Sequence, residues 1–179
     1  MLKISITESE GYDDRSQRFI KYPAMDLELE HSLVSMSKWE SKWEIPYLSD
    51  KAKDDEQILD YIACMVTNAE VTSDDIRRIT QADADAISEY IAAKMTATWF
   101  TEEKTTGPSP VITTEVIYYW MIEAGIPIEF ENWHFNRLMT VLKVCNEKRK
   151  PEKKLSRAEI ADRNRKLNEE RQKKYNTTG

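Results

Sequence analysis

The densest apolar run in the chain, Val116-Ile117-Tyr118-Tyr119-Trp120-Met121-Ile122, follows a pair of threonines and is closed by Gly125. A run that is apolar nearly all round reads as a buried helix, opened by Thr113 or Thr114 and central to the fold. Gly125 can take the left-handed conformation that ends helices. Ile126-Pro127 then makes a tight connection to a second helix from about Phe130 to Lys148. That helix carries Trp133 or His134, Arg137, Leu138, Val141, Leu142 and Cys145 at helical spacing. Short connections favour antiparallel neighbours, so residues 114–148 are expected to form a central helical hairpin. With only 4 Gly and 6 Pro in 179 residues, long helices are favoured over a turn-rich β architecture.

Towards the N-terminus the period changes. Leu2, Ile4 and Ile6 alternate with polar residues, as do Met25, Leu27 and Leu29, and Arg18–Tyr22 has strand character. These three segments predict a small antiparallel sheet, with the acidic stretch Glu10–Asp14 as a loop. Residues 32–44 then return to helical spacing through Leu33, Met36, Trp39 or Glu40, and Trp43, capped by Ser32 and stopped by Ile45-Pro46. A helix from Asp54 or Asp55 to about Val66 places Ile58, Ile62 and Met65 on one stripe, flanked by Leu59 and Tyr61. Short helices are expected from Ser73 to Ile79 and from Asp83 or Asp85 through Ile87, Tyr90, Ile91 and Met95. The section Asn68–Lys94 is thinly apolar and acidic, suited to a lid or a partner surface. Lys104–Pro110 holds one Gly and two Pro and reads as a loop.

The expected fold is therefore mostly helical α+β. Residues 1–150 form the body, with strands within about 1–30 and helices within about 32–148; residues 151–179 form a polar, basic helical arm. In the arm, Ser156 and Glu159 make a capping-box pattern, and Leu155, Ile160 and Leu167 are its few residues able to be buried. Residues 143–179 carry 13 Lys and Arg against 6 Asp and Glu, a net +7; with −6 for the whole chain, residues 1–142 carry −13. An acidic body with a basic arm points to an acidic partner for the arm, or to docking on a neighbouring copy. Arg157, Arg163, Arg165, Lys166, Arg171, Lys173 and Lys174 are the candidate contacts. Interruption by Glu159, Asp162, Glu169 and Glu170 makes nucleic-acid binding the secondary use of the arm.

Little in the chain suggests catalysis. His31 and His134 are not at metal-ligand spacing with Cys64 or Cys145, and both read as hydrogen-bonded structural histidines. Asp83-x-Asp85 lacks the Gly and Glu that a calcium loop needs, and no Gly-rich phosphate loop exists. No catalytic, cofactor-binding or metal-ligating residue is expected. The cysteines read as free thiols in a reducing compartment. The opening MLKISITESEGYDD turns acidic before an apolar run develops, and no stretch approaches the roughly 20 apolar residues of a membrane span. A cytosolic protein with no membrane partner is expected.

Three strings, with the MLKISI opening, carry a resemblance: LEHSLVSMSKWESKW at Leu29–Trp43, ITTEVIYYWMIEAGIPIEFENWHFNRLMTVLKVCN at Ile112–Asn146, and LSRAEIADRNRKLNEERQKKYNTTG at Leu155–Gly179. They resemble proteins of the tail-morphogenesis gene sets of long-tailed bacteriophages, read as tail assembly chaperones. The resemblance implies a non-enzymatic protein of the infected bacterial cytoplasm. Such proteins coat the helical tape measure protein, help tail tube protein polymerise round it, and are absent from the finished virion. It also implies a longer frameshifted form, for which the adjacent codons of Lys173 and Lys174 are a candidate slippery site. Coating a helix calls for aromatic anchors, and Trp39, Trp43, Trp99, Phe100 and Tyr118–Trp120 are the candidates. Self-association would follow from the opposed charges of body and arm. The alternatives are a permanent virion component, such as a head–tail connector or tail subunit, and a nucleic-acid-binding accessory protein acting through the arm.

Overall fold

A computed structural model describes residues 1–13, 17–100, 111–149 and 157–175. It is a mostly helical α+β fold with a small antiparallel strand set at the N-terminus. The expected loop Lys104–Pro110 and the serine of the Ser156–Glu159 capping pattern lie outside the described residues. The chain divides into two compact units, Met1–Asn146 and Glu147–Gly179.

Among the described residues the strands number four. β1 (Leu2–Ile6) pairs with β4 (Met25–Leu29), from Leu2↔Leu29 to Ile6↔Met25. β2 (Ser9–Asp13) pairs with β3 (Arg18–Tyr22), from Ser9↔Tyr22 to Asp13↔Arg18. The two ladders keep one register, so they are halves of a single hairpin ribbon interrupted at residues 7–8 and 23–24. Pro23, which has no N–H to donate, lies in the interruption. This corrects the three-stranded sheet and the loop at Glu10–Asp14. Ser9–Asp13 becomes strand because it continues a pairing that the apolar β1 and β4 begin, although its own residues are poor strand formers. In the inner half Ile4, Ile6, Leu27 and Leu29 are buried. The opposite face carries a Lys3–Glu28 ion pair (2.6 Å) and a Ser5–Asp26 hydrogen bond (2.6 Å). The outer half is exposed, with the rings of Tyr12 and Phe19 edge to face at 5.2 Å. Tyr22 covers Gly11, where a Cβ would come within 3.0 Å of its ring.

The free edge of β4 is closed by residues 65–68. Glu30 donates its N–H to Met65 O (2.9 Å) and Thr67 donates to Glu28 O (2.8 Å). The Asn68 side chain extends the ladder, accepting from Glu28 N (2.9 Å) and donating to Asp26 O (2.9 Å). At the interruption of the ribbon Arg78 Nη2 donates to Thr7 O (2.7 Å) and Pro23 O (2.9 Å).

Among the described residues, six α-helices complete the body. In α1 (Leu33–Trp43) Ser32 and Ser35 form a capping box, Leu33, Met36 and Trp39 are buried, and Glu44 ends the helix at φ 54°. α2 (Asp55–Met65) starts at Asp54, whose carboxylate accepts from Gln57 N (2.8 Å). Its buried stripe is Tyr61, Ile62 and Met65, while Ile58 is exposed. The expected stripe is thus rotated, because the Tyr61 hydroxyl meets His31 inside the core (2.5 Å). α3 (Ser73–Ile76) and α4 (Gln81–Ala92) start at Thr72 and Thr80, each in a capping box with an aspartate three residues on. Ile76, Ile87 and Tyr90 from this region are core residues. The thinly apolar section is therefore part of the core: Ile76, Ile87 and Tyr90 point inward, and two of its acidic residues, Asp75 and Asp83, serve as caps.

α5 (Thr114–Ala124) packs on α1. Only Thr114, Ile117 and Met121 are buried in it, whereas Tyr119 and Ile122 are 61% and 75% exposed. The expectation of a helix buried all round is corrected, since packing on one side leaves apolar residues of the far side in water. Its start is capped from outside. Glu40 of α1, itself buried, accepts from Thr114 N (2.9 Å), Thr114 Oγ1 (2.5 Å) and Tyr47 N (2.7 Å). Gly125 ends α5 at φ 67°. A 3-10 helix, Ile128–Asn132, also packed on α1, separates it from α6 (Phe135–Arg149). The tight hairpin connection is thus replaced by a longer one that returns α6 to the β4–α1 junction. There Phe135 N donates to His31 O (2.7 Å).

The second unit contains α7 (Arg157–Tyr175), whose described side chains are all exposed. Among the described residues no helix is long and apolar enough to cross a membrane.

Candidate functional site: a lysine-flanked aromatic groove

The groove begins where α4 stops. Ala93 adopts extended backbone, and Met95 takes a left-handed turn at φ 49°. Asn136, in the first turn of α6, holds this exit, donating to Ile91 O (3.2 Å) and Ala93 O (2.8 Å). The segment Lys94–Phe100 thereby lies beside the α6 face formed by Asn136, Met139, Thr140 and Lys143, and the two enclose about 310 Å³. Trp99 is 72% exposed at the rim, and Phe100 is partly exposed. The Lys94 ammonium sits 4.0 Å from the Trp99 ring centre, a cation–π contact that orders the indole without covering it. Among the described residues of the lining, Lys94 and Lys143 are the charged ones. Such a wall suits an apolar anchor residue with negative charge beside it.

The structure separates the candidate anchors. Trp39 is fully buried and donates Nε1–H to Gln57 O (2.9 Å). Trp43 is half-buried and donates to the buried Asp60 carboxylate (2.8 Å), which also holds Lys42. Trp39 is thus corrected from a partner anchor to a structural residue, since α1 turns it fully into the body, whereas Trp43 keeps part of its ring open with its indole N–H satisfied within the body. Tyr118 is half-buried with its hydroxyl on Glu131 (2.8 Å), Trp120 is half-buried, and Tyr119 is exposed. Trp99 and Phe100 do come together. Arg157, Arg163, Arg165, Lys166, Arg171, Lys173 and Lys174 are exposed along α7, with Arg165 paired to Asp162. Lys94, Asn136, Met139 and Lys143 escaped the sequence reading. The spacing 136, 139, 140 and 143 on one face, offset from the buried Leu138 and Leu142, was the available signal.

A second cluster is closed. His31 Nδ1 meets Tyr61 OH, and His134 Nε2 donates to Tyr90 O (2.9 Å), with the two imidazoles 5.2 Å apart. Burial, and secondarily the neighbouring His134, push His31 down to about 4. Burial pushes Tyr47 up to about 12 and Tyr61 well above its ordinary value. These groups are walled in by Tyr47, Phe135 and Tyr90 and hold the core together. Among the described residues no group of three or more His, Cys, Asp or Glu could hold a metal ion. Comparison with models of protein families, with curated proteins and with solved structures gave no match to this chain.

Proposed function

We propose that this chain is a non-enzymatic phage tail assembly chaperone, which binds the tape measure protein in the cytoplasm of an infected bacterial cell and assists assembly of tail tube protein round it. The identity of the client rests on the three resembling strings. The observation that supports the binding mode is the groove of Lys94, Trp99, Phe100, Met139 and Lys143, a large exposed indole beside a concave lining. A helical client would place an apolar anchor against Trp99 and Met139, with acidic neighbours towards the lysines. The net −13 on residues 1–142 would keep a coated client soluble.

The test is co-expression with the tape measure protein of the same genome, with pull-down, beside mass spectrometry of purified virions. Capture of the tape measure, absence from virions, and a loss of roughly tenfold or more in capture for Trp99→Ser are expected. Trp99 is exposed, so the substitution spares the fold. Failure to capture, with stoichiometric presence in virions, would replace the chaperone with a head–tail connector or tail subunit.

A further inference from the structure

Two exposed stripes in the molecule are complementary, one on each unit. On α5 the solvent side presents Glu115, Tyr119 and Ile122, spaced four and three residues apart and so on one face. Tyr119 and Ile122 are the exposed large hydrophobic residues of this helix, and no described residue of the body covers them. On α7 the sparse apolar residues Ile160 and Leu167 are 44% and 41% exposed, seven residues apart, with Arg163 and Arg171 on the same side. The arm is basic and the body acidic. The groove at Lys94 and Lys143 would repel the arm's net positive charge. The α5 stripe is apolar with a carboxylate at its end.

We propose that the α5 stripe is the docking site for α7 of a second copy of this chain. An antiparallel helix pair that sets Leu167 on Tyr119 brings Arg171, four residues on along α7, abreast of Glu115, four residues back along α5. Ile122 then lies against the turn of α7 that precedes Leu167. Because donor and acceptor stripes are different surfaces, each copy can give its arm to one neighbour and receive the arm of another, which builds chains or closed rings.

Sedimentation velocity on the full chain across a concentration series reads this directly. The wild type is expected to form concentration-dependent dimers and larger species. Ile122→Arg and Leu167→Glu, both at exposed positions, should each weaken association at least about tenfold. Glu115→Arg and Arg171→Glu should each weaken it, and the two reversals combined should restore it. A monomer at every concentration overturns the proposal. So does association that Ile122→Arg and Leu167→Glu leave untouched, or reversals that fail to rescue one another.

Discussion

Acid should unfold this protein through His31 before its carboxylates are exhausted. The imidazole is 3% exposed, wedged among Tyr47, Tyr61, His134 and Phe135, with Nδ1 on the Tyr61 hydroxyl. Its folded-state value is about 4, against an ordinary value of 6.5. A histidine held neutral by the fold binds its proton more readily when unfolded. Stability is therefore fully present above pH 6.5 and falls as pH drops from there towards 4. At about 1.4 kcal/mol per unit of separation, the loss is about 2 kcal/mol by pH 5 and about 3 kcal/mol by pH 4. Tyr61 and Tyr47 stay protonated in this window, and His134 is the one other imidazole facing the site. His31→Asn is the informative variant, because the amide can reach the Tyr61 hydroxyl from nearly the position of Nδ1 but does not titrate. Urea unfolding followed by tryptophan fluorescence, repeated at each half unit from pH 7 to 4, should show the wild type losing stability faster than the variant. A constant difference between the two across that range would refute the reasoning, since His31 would then carry no proton linkage.

Two further outcomes follow from the polar joints of the body. Glu40→Ala strips the acceptors from Thr114 N, Thr114 Oγ1 and Tyr47 N, and should cost about 3 kcal/mol in urea unfolding, against a smaller loss for Glu40→Gln, which keeps the volume and one acceptor oxygen; equal costs would show that neither the volume nor a single acceptor contributes there. Asn68→Ala removes the side-chain extension of the β4 ladder and should cost about 1 kcal/mol with faster amide exchange at Glu28; unchanged exchange would place the edge protection elsewhere.

What could be read directly from the residues was local. Ser32 before an apolar helical stripe, Pro46 after it, and Gly125 at the close of α5 are signals whose physics lies within a few residues, and each of these boundaries falls where it was expected. The alternation in β1 and β4 was equally legible, since one face of each meets the core. The pairing of Ser9–Asp13 was not: it depends on a register begun elsewhere, and Gly11 and Asp13 argue against a strand. The rotation of α2 was hidden because both Ile58 and Tyr61 fit a helical stripe, and the hydroxyl contact to His31 decides between them. For α5, composition reports how apolar a helix is but not how many of its sides find a neighbour. The same ambiguity made Trp39 and Trp99 look alike, although Trp39 belongs to the most deeply buried part of the body and Trp99 to its surface. At the groove, Trp99 and Phe100 were visible as aromatics, whereas the α6 face joins them only through tertiary packing.

The unbroken register of the ribbon bears on the order in which the chain can fold. Joining Ile6 to Met25 without the outer half means closing a loop of residues 7–24. With Ser9 to Tyr22 already paired, only the two short interruptions remain to be ordered. Loop-closure entropy then falls by about 1 kcal/mol. The outer half buries almost nothing and leaves its aromatic pair in water, yet it aligns the strands that supply Ile4, Ile6, Leu27 and Leu29 to the core. Each successive pair, from Asp13↔Arg18 inward, costs only a local step, so the slowest kind of contact in a sheet becomes a zipper started at that outermost pair. The most exposed β-structure of this protein is thereby the part that lets its most buried β-structure find its partner early.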